Sequence, residues 1–227
     1  MGVPTRPAAA SLYALSLFLL ALLGIQPVAF SLLTGSWGLP VIFHGDFDLL
    51  YYSLSVGLWI IVYSFLYKLP EKFDFNLRLN LKLADLGIGA FVAAITFLIL
   101  RLYLQKLGHN HVPMHIFGVT KDADPTVFFA VGAMFTLINA LTEELWFRGL
   151  LLGALRGLLP MWPAILLQAL CFGISHWVGT PQGILGLVLA GTWGIALGWW
   201  TTARRSIWQA LAVHLLADWL IFVYTNG

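Results

Sequence analysis

The sequence predicts an all-α fold, a polytopic transmembrane helix bundle of about seven spans with its amino terminus inside. Three observations carry that expectation. Of 227 residues, 60% are hydrophobic and 10% charged, with mean hydropathy +0.88, more apolar surface than one soluble core can bury. Apolar runs of bilayer-crossing length, roughly 18 to 25 residues with one longer, recur along the whole chain. The few charges collect between those runs, which suits membrane orientation and excludes a nucleic-acid footprint at a net charge of +2.

The first span, Ser11 to Leu33, follows Arg6 and is interrupted at Pro27. Its apolar character outlasts a signal sequence and no small-x-small cleavage pattern follows promptly, so it is expected to stay uncleaved. Leu49 to Tyr67 and Ala84 to Leu104 follow, then Thr126 to about Leu158, Met161 to Val178, Gly183 to Trp200 and Ile207 to Tyr224. Lys68, Lys72, Arg78 and Lys82 fill the second connection, Arg156 ends the fourth span and Arg204 and Arg205 form the sixth connection, whereas the first carries only Asp46 and Asp48. That bias places the amino terminus inside and, with an odd span count, the carboxyl terminus outside. No repeat or long linker divides the chain, so residues 1–227 are expected to form a single transmembrane domain. The lone Cys171 cannot form an intrachain disulfide and is expected to pack as a small residue.

Glu143, Glu144 and Arg148 lie inside the fourth span. A central charge in a bilayer costs roughly 2.5–3.5 kcal/mol on the insertion scale, so three together point to a protein-lined functional site. Glu144 and Arg148, four residues apart, share one helical face, which pairs that carboxylate with the guanidinium. Glu143 points about 100° away, on a stripe with Thr136, Asn139, Ala140 and Phe147. One glutamate is thereby assigned a structural role and the other a reactive one.

The fifth span supplies Phe172, Ser175 and His176, and the seventh supplies His214 and Asp218, again four residues apart. Glu143 and His176 each lie about 16 residues, or roughly 25 Å, from the turn between their spans, and so are expected to meet at one depth. Asp218, about 13 residues or roughly 20 Å beyond Arg205, reaches the same level. A carboxylate withdrawn from bulk water beside imidazoles suits a general base that takes a proton from water and returns it to a leaving amine. Because lipid supplies no water, such a site must open through a polar cavity.

These residues give Glu143-Glu144-x-x-x-Arg148, Phe172-x-x-x-His176 and His214-x-x-x-Asp218, in order, over about the last 85 residues. In these motifs the chain resembles the CPBP (CAAX protease and bacteriocin-processing) intramembrane glutamic endopeptidases, which include the type II CAAX prenyl proteases. The resemblance implies that Glu143 and His176 activate a water, that Glu144 and Arg148 support them, and that His214 with Asp218 stabilises the oxyanion, with no cofactor and no metal. It places the catalytic motifs in residues 127–224. It implies a membrane-embedded or lipidated peptide or protein substrate, and an integral membrane protein of the bacterial inner membrane. One departure is Asp218, since the prenyl-protease members typically have asparagine there and the bacterial branch includes aspartate. An ionised aspartate only accepts hydrogen bonds, so either Asp218 is protonated or it orients His214 and leaves donation to the imidazole.

Other chemistries are open to the same residues. Glu143, His176, His214 and Asp218 could hold zinc with an open position for water, although the His-Glu-x-x-His helix pattern is absent. Gly173-x-Ser175 is similar to rhomboid nucleophile loops, but Ser175 and His176 are neighbours expected to diverge around a helix. His109, His111 and His115 cluster in the third connection without a carboxylate to complete a metal site before Asp122. A non-catalytic scaffold or bacteriocin-immunity protein, a purely structural polar clamp, and a transporter complete the alternatives.

Overall fold

The computed structural model describes residues 78–80, 82–107, 119, 122–176 and 183–226. The spans expected at Ser11–Leu33 and Leu49–Tyr67, with Arg6, Asp46, Asp48, Lys68 and Lys72, and the histidines at 109, 111 and 115 lie outside these residues. The described residues form helices and contain no strand. In chain order these are α1 (Leu83–Leu107), α2 (Pro125–Glu143), a π-helical segment (Glu144–Leu151), α3 (Leu152–Arg156), α4 (Met161–Ser175), α5 (Gly183–Arg204) and α6 (Trp208–Asn226). Helical residues run unbroken from Pro125 to Arg156, and this stretch and α5 are the two described helices long and apolar enough to cross a membrane. Shorter apolar stretches cover Leu83–Ile99, Met161–Ser175 and Trp208–Tyr224. Apolar side chains face outward all along them, among them Ile88, Phe91, Leu98, Leu137, Leu166, Leu170 and Val188, the pattern expected of helices solvated by lipid.

Two compact units divide the chain, with the boundary on the long helix between Glu143 and Glu144 and another after Trp208. One unit holds α1, α2 and nearly all of α6. Here α2 starts at an Asp-Pro step: Asp124 Oδ1 accepts from the backbone N–H groups of Thr126 (2.8 Å) and Val127 (3.3 Å), and Pro125 has no amide to orphan in the first turn. Phe135 and Phe222 are buried together, with Phe128 and Val131 packed against them. Gly132 makes that approach close, because a Cβ there would fall 2.4 Å from Phe222 Cε1. Phe97 meets Tyr224 edge-on at 5.7 Å and so ties α1 to α6.

The other unit holds the π segment, α3, α4 and α5. Its centre is the antiparallel pair α4–α5, brought together by glycine. Gly173 faces Leu187 and Gly191, Gly194 faces Ala169 and Phe172, and Gly198 faces Gln168 and Ile165. Small residues let membrane helices gain dispersion contact backbone to backbone, where no hydrophobic driving force distinguishes lipid from leucine. At the end of α5, Arg205 takes a left-handed conformation (φ 50°) and Ser206 donates its N–H to Thr201 O at 3.2 Å, the closing bond of a Schellman turn. Asn80 Nδ2 covers the Arg204 carbonyl at 3.1 Å. Cys171 is buried, as a packing residue would be.

Candidate active site

In the first unit, α2 and α6 bring four polar side chains into register. Asn139 and Glu143 lie one turn apart on α2, and His214 and Asp218 one turn apart on α6. His214 Nε2 is 3.4 Å from Glu143 Oε2 and 3.5 Å from Asp218 Oδ1. Asn139 Nδ2 donates to Asp218 Oδ2 at 3.1 Å. The side chains of His214 and Asp218 are 6% and 10% exposed, against 23% for Glu143. Two carboxylates therefore flank a single imidazole nitrogen, and the more accessible belongs to Glu143. At 3.4 Å the Glu143–His214 contact is an ion-pair distance, not an aligned hydrogen bond. A proton on Nε2 has both carboxylates within reach.

In the second unit, Arg148 Nη1 lies 3.0 Å from Glu144 Oε1, and both residues are wholly buried. The guanidinium carbon sits 4.2 Å from the centre of the Phe172 ring, where the ring's negative face attracts it. Phe147 meets the same ring edge-on at 4.9 Å, and the His176 imidazole lies 4.5 Å from it. Phe172 thus contacts both the cation and the imidazole. That gives the phenylalanine of Phe172-x-x-x-His176 a physical role which the spacing alone does not.

Three details depart from the sequence reading. The long helix widens to π geometry at Glu144, so the α-helical stripe from Thr136 through Asn139 and Glu143 stops short of Phe147; Phe147 packs on Phe172 instead. Such widened turns collect at functional sites. Second, α4 ends at Ser175 with His176 as its C-cap (φ −89°, ψ 6°), and the last two residues of the expected span, Trp177 and Val178, lie outside the described residues. Third, Ser175 and His176 do not diverge: Ser175 Oγ lies 3.3 Å from His176 Nδ1, because the helix has already ended. Both side chains turn back to the Phe172 carbonyl, each at 2.8 Å. A carbonyl only accepts, so in this contact His176 Nδ1 is the donor. The same bond makes Nδ1 a donor, unable to take a proton from Ser175.

The six residues singled out by sequence thus fall into two clusters, Glu143 with His214 and Asp218, and Glu144 with Arg148, while His176 joins the second through Phe172. Asn139, placed by sequence only on Glu143's stripe, is a member of the first cluster that spacing does not reveal. Among the described residues, no group of three His, Cys, Asp or Glu side chains is arranged to hold a metal ion.

Residues 125–220, which span both clusters, match the family model described as Type II CAAX prenyl endopeptidase Rce1-like. Over those residues, which are less than half of the chain, the sequence is similar to the CAAX protease family. Members of this CAAX protease family are membrane-embedded peptidases, and the apolar, outward-facing helices described above accord with that class. No curated protein and no solved structure gives a significant match to the chain. The CAAX protease match begins at the Asp124–Pro125 helix start and ends within α6, so it leaves α1 outside.

Proposed function

We propose that the chain is a glutamic-type intramembrane endopeptidase, metal-independent, whose spans number seven with the amino terminus inside the bacterial inner membrane. Residues 1–227 act as one transmembrane domain, with the catalytic motifs in 127–224. Glu143 and His176 activate a water, Glu143 taking its proton, and the hydroxide so formed attacks the scissile carbonyl. The tetrahedral oxyanion is stabilised by His214 together with Asp218. Glu143 then returns the proton to the leaving amine, so no covalent intermediate forms and the balance is one water consumed per peptide bond. Glu144 and Arg148 hold the framework on which His176 sits. The substrate is a membrane-associated precursor peptide, a protein's carboxyl-terminal anchor or a lipidated tail.

The observation that carries this reading is the contact of Glu143 with His214, with Asp218 on the same nitrogen. A partly accessible carboxylate beside a buried imidazole sets a base for water next to a donor for the oxyanion. The test is purified full chain against Glu143→Gln, in detergent and in vesicles, incubated with candidate precursors and read by mass spectrometry. Wild type should cleave and Glu143→Gln should fall by about 10²–10⁴-fold, the usual worth of a general base. Cleavage retained by Glu143→Gln contradicts the proposed base. Activity abolished by chelator and restored by zinc contradicts metal independence, and a cellular role intact in Glu143→Ala assigns the chain a non-catalytic function.

A further inference from the structure

The α2–α6 cluster contains one aligned hydrogen bond to which the mechanism above gives no part. Asn139 Nδ2 donates to Asp218 Oδ2 at 3.1 Å across the two helices, while the other oxygen, Oδ1, faces His214 Nε2 at 3.5 Å. Asn139 lies one turn before Glu143, and Asp218 one turn after His214. The two cross-helix contacts, 139 to 218 and 143 to 214, are therefore adjacent rungs between antiparallel helices.

We infer that Asn139 is a positioning residue for the site: it holds the Asp218 carboxylate in the rotation that turns Oδ1 toward His214, and through it sets the imidazole against Glu143. This rests on the proposed peptidase reading for its kinetic consequence, but not for its structural one. An aspartate side chain turns about χ1 and χ2, and the second rotation is broad, so a carboxylate with one partner is loosely directed. A donor on Oδ2 restricts that rotation, and an amide is suited to it because it donates without adding charge between two carboxylates. A packing residue would serve equally well as leucine. Asn139 would not, because its contribution is a hydrogen on a defined side of Asp218. Second-layer hydrogen bonds of this kind fix the orientation of the groups that do chemistry.

The experiment uses the full chain labelled with ¹⁵N-histidine in detergent micelles, with the His214 ring signals assigned by their loss in His214→Gln. The variants are Asn139→Leu, Asp218→Asn, and the exchanged pair Asn139→Asp with Asp218→Asn. In the exchanged pair, residue 218 still accepts from His214 through its amide oxygen and donates to residue 139, so the chain of bonds is kept with the charge moved one rung. Asn139→Leu should shift the His214 ring signals, and the exchanged pair should return them toward wild type from either single change. On whichever precursor the wild type cleaves, Asn139→Leu should lower kcat by roughly tenfold to a hundredfold with KM unchanged, the worth of one hydrogen bond to a charged group. His214 signals unmoved by Asn139→Leu overturn the inference, as does an exchanged pair no closer to wild type than the worse single variant. If Asn139→Leu does not fold, the comparison of Asp218→Asn with the exchanged pair decides by the same signals. A Glu143→Gln protein that still cuts, with His214 signals behaving as expected, defeats the peptidase mechanism alone; an inactive Glu143→Gln with His214 unmoved defeats the role of Asn139 alone.

Discussion

Arg148→Met isolates the electrostatics of the Glu144–Arg148 pair. Both side chains are wholly buried, the Nη1–Oε1 distance is 3.0 Å, and the guanidinium lies 4.2 Å from the Phe172 ring centre. Methionine keeps most of the aliphatic volume but leaves the buried Glu144 without this cation. Removing one partner of a buried pair costs about 3–5 kcal/mol, and the lost cation–ring contact accounts for about 1–2 kcal/mol within that range. Replacing both charges, Glu144→Gln with Arg148→Met, removes the uncompensated carboxylate and should recover most of the loss, since exchange of a whole buried pair for neutral side chains is often near neutral. Denaturant unfolding in mixed micelles, followed by the fluorescence of the chain's tryptophans, among them the buried Trp146, measures both. Arg148→Met within about 1 kcal/mol of wild type, or a double variant as unstable as the single one, would refute the argument that the pair's value lies in mutual neutralisation.

Two further outcomes follow from the same unit. Gly173→Ala places a Cβ 2.6 Å from the Leu187 carbonyl oxygen, a backbone atom that cannot swing aside, whereas Gly191→Ala meets its nearest atom at 3.7 Å; thermal melts should show a loss of about 1–3 kcal/mol for the first and little change or a slight gain for the second. Equal melts would show that α4 and α5 do not pack through these glycines. Ser175→Ala removes an exposed hydroxyl that only shares the Phe172 carbonyl with His176, so turnover should stay within about threefold of wild type. A loss beyond a hundredfold would restore the serine mechanism.

How much the sequence disclosed differs by level. The helices at Pro125, Met161, Gly183 and Trp208 begin within one residue of the expected spans, because Asp124-Pro125, Pro160 and the Arg204-Arg205 pair are strong local punctuation. The Glu144–Arg148 pair was legible for the same local reason, four residues along one helix. The π segment was not, since one extra residue per turn leaves an apolar run looking as apolar as before. Nor was the end of α4, because Ser175-His176-Trp177 contains no glycine or proline, and the helix closes by side-chain bonds to the Phe172 carbonyl. Asn139 was visible as a residue but not as a partner: its bond to Asp218 depends on cross-helix register over 79 positions, which no local pattern encodes.

The doubled glutamate then has a geometric explanation. Successive residues on a helix diverge by about 100°, so two adjacent carboxylates cannot address one imidazole, and here they address different partners: Glu143 meets His214, and Glu144 meets Arg148. The winding changes between them, α up to Glu143 and π from Glu144 onward. Under the proposed mechanism a single glutamate would have to be both the arginine's partner and the water-activating base, and those partners lie in different directions around the helix. The proposed division of tasks between neighbours meets both demands while keeping both groups on one backbone. Substitutions should therefore separate by phenotype as well as by size: changes at Glu144 or Arg148 should first lower the unfolding midpoint, whereas Glu143→Gln should leave it near wild type and act on turnover. If Glu143→Gln unfolds as readily as Arg148→Met, both glutamates are framework, and the assignment of a reactive carboxylate to position 143 fails.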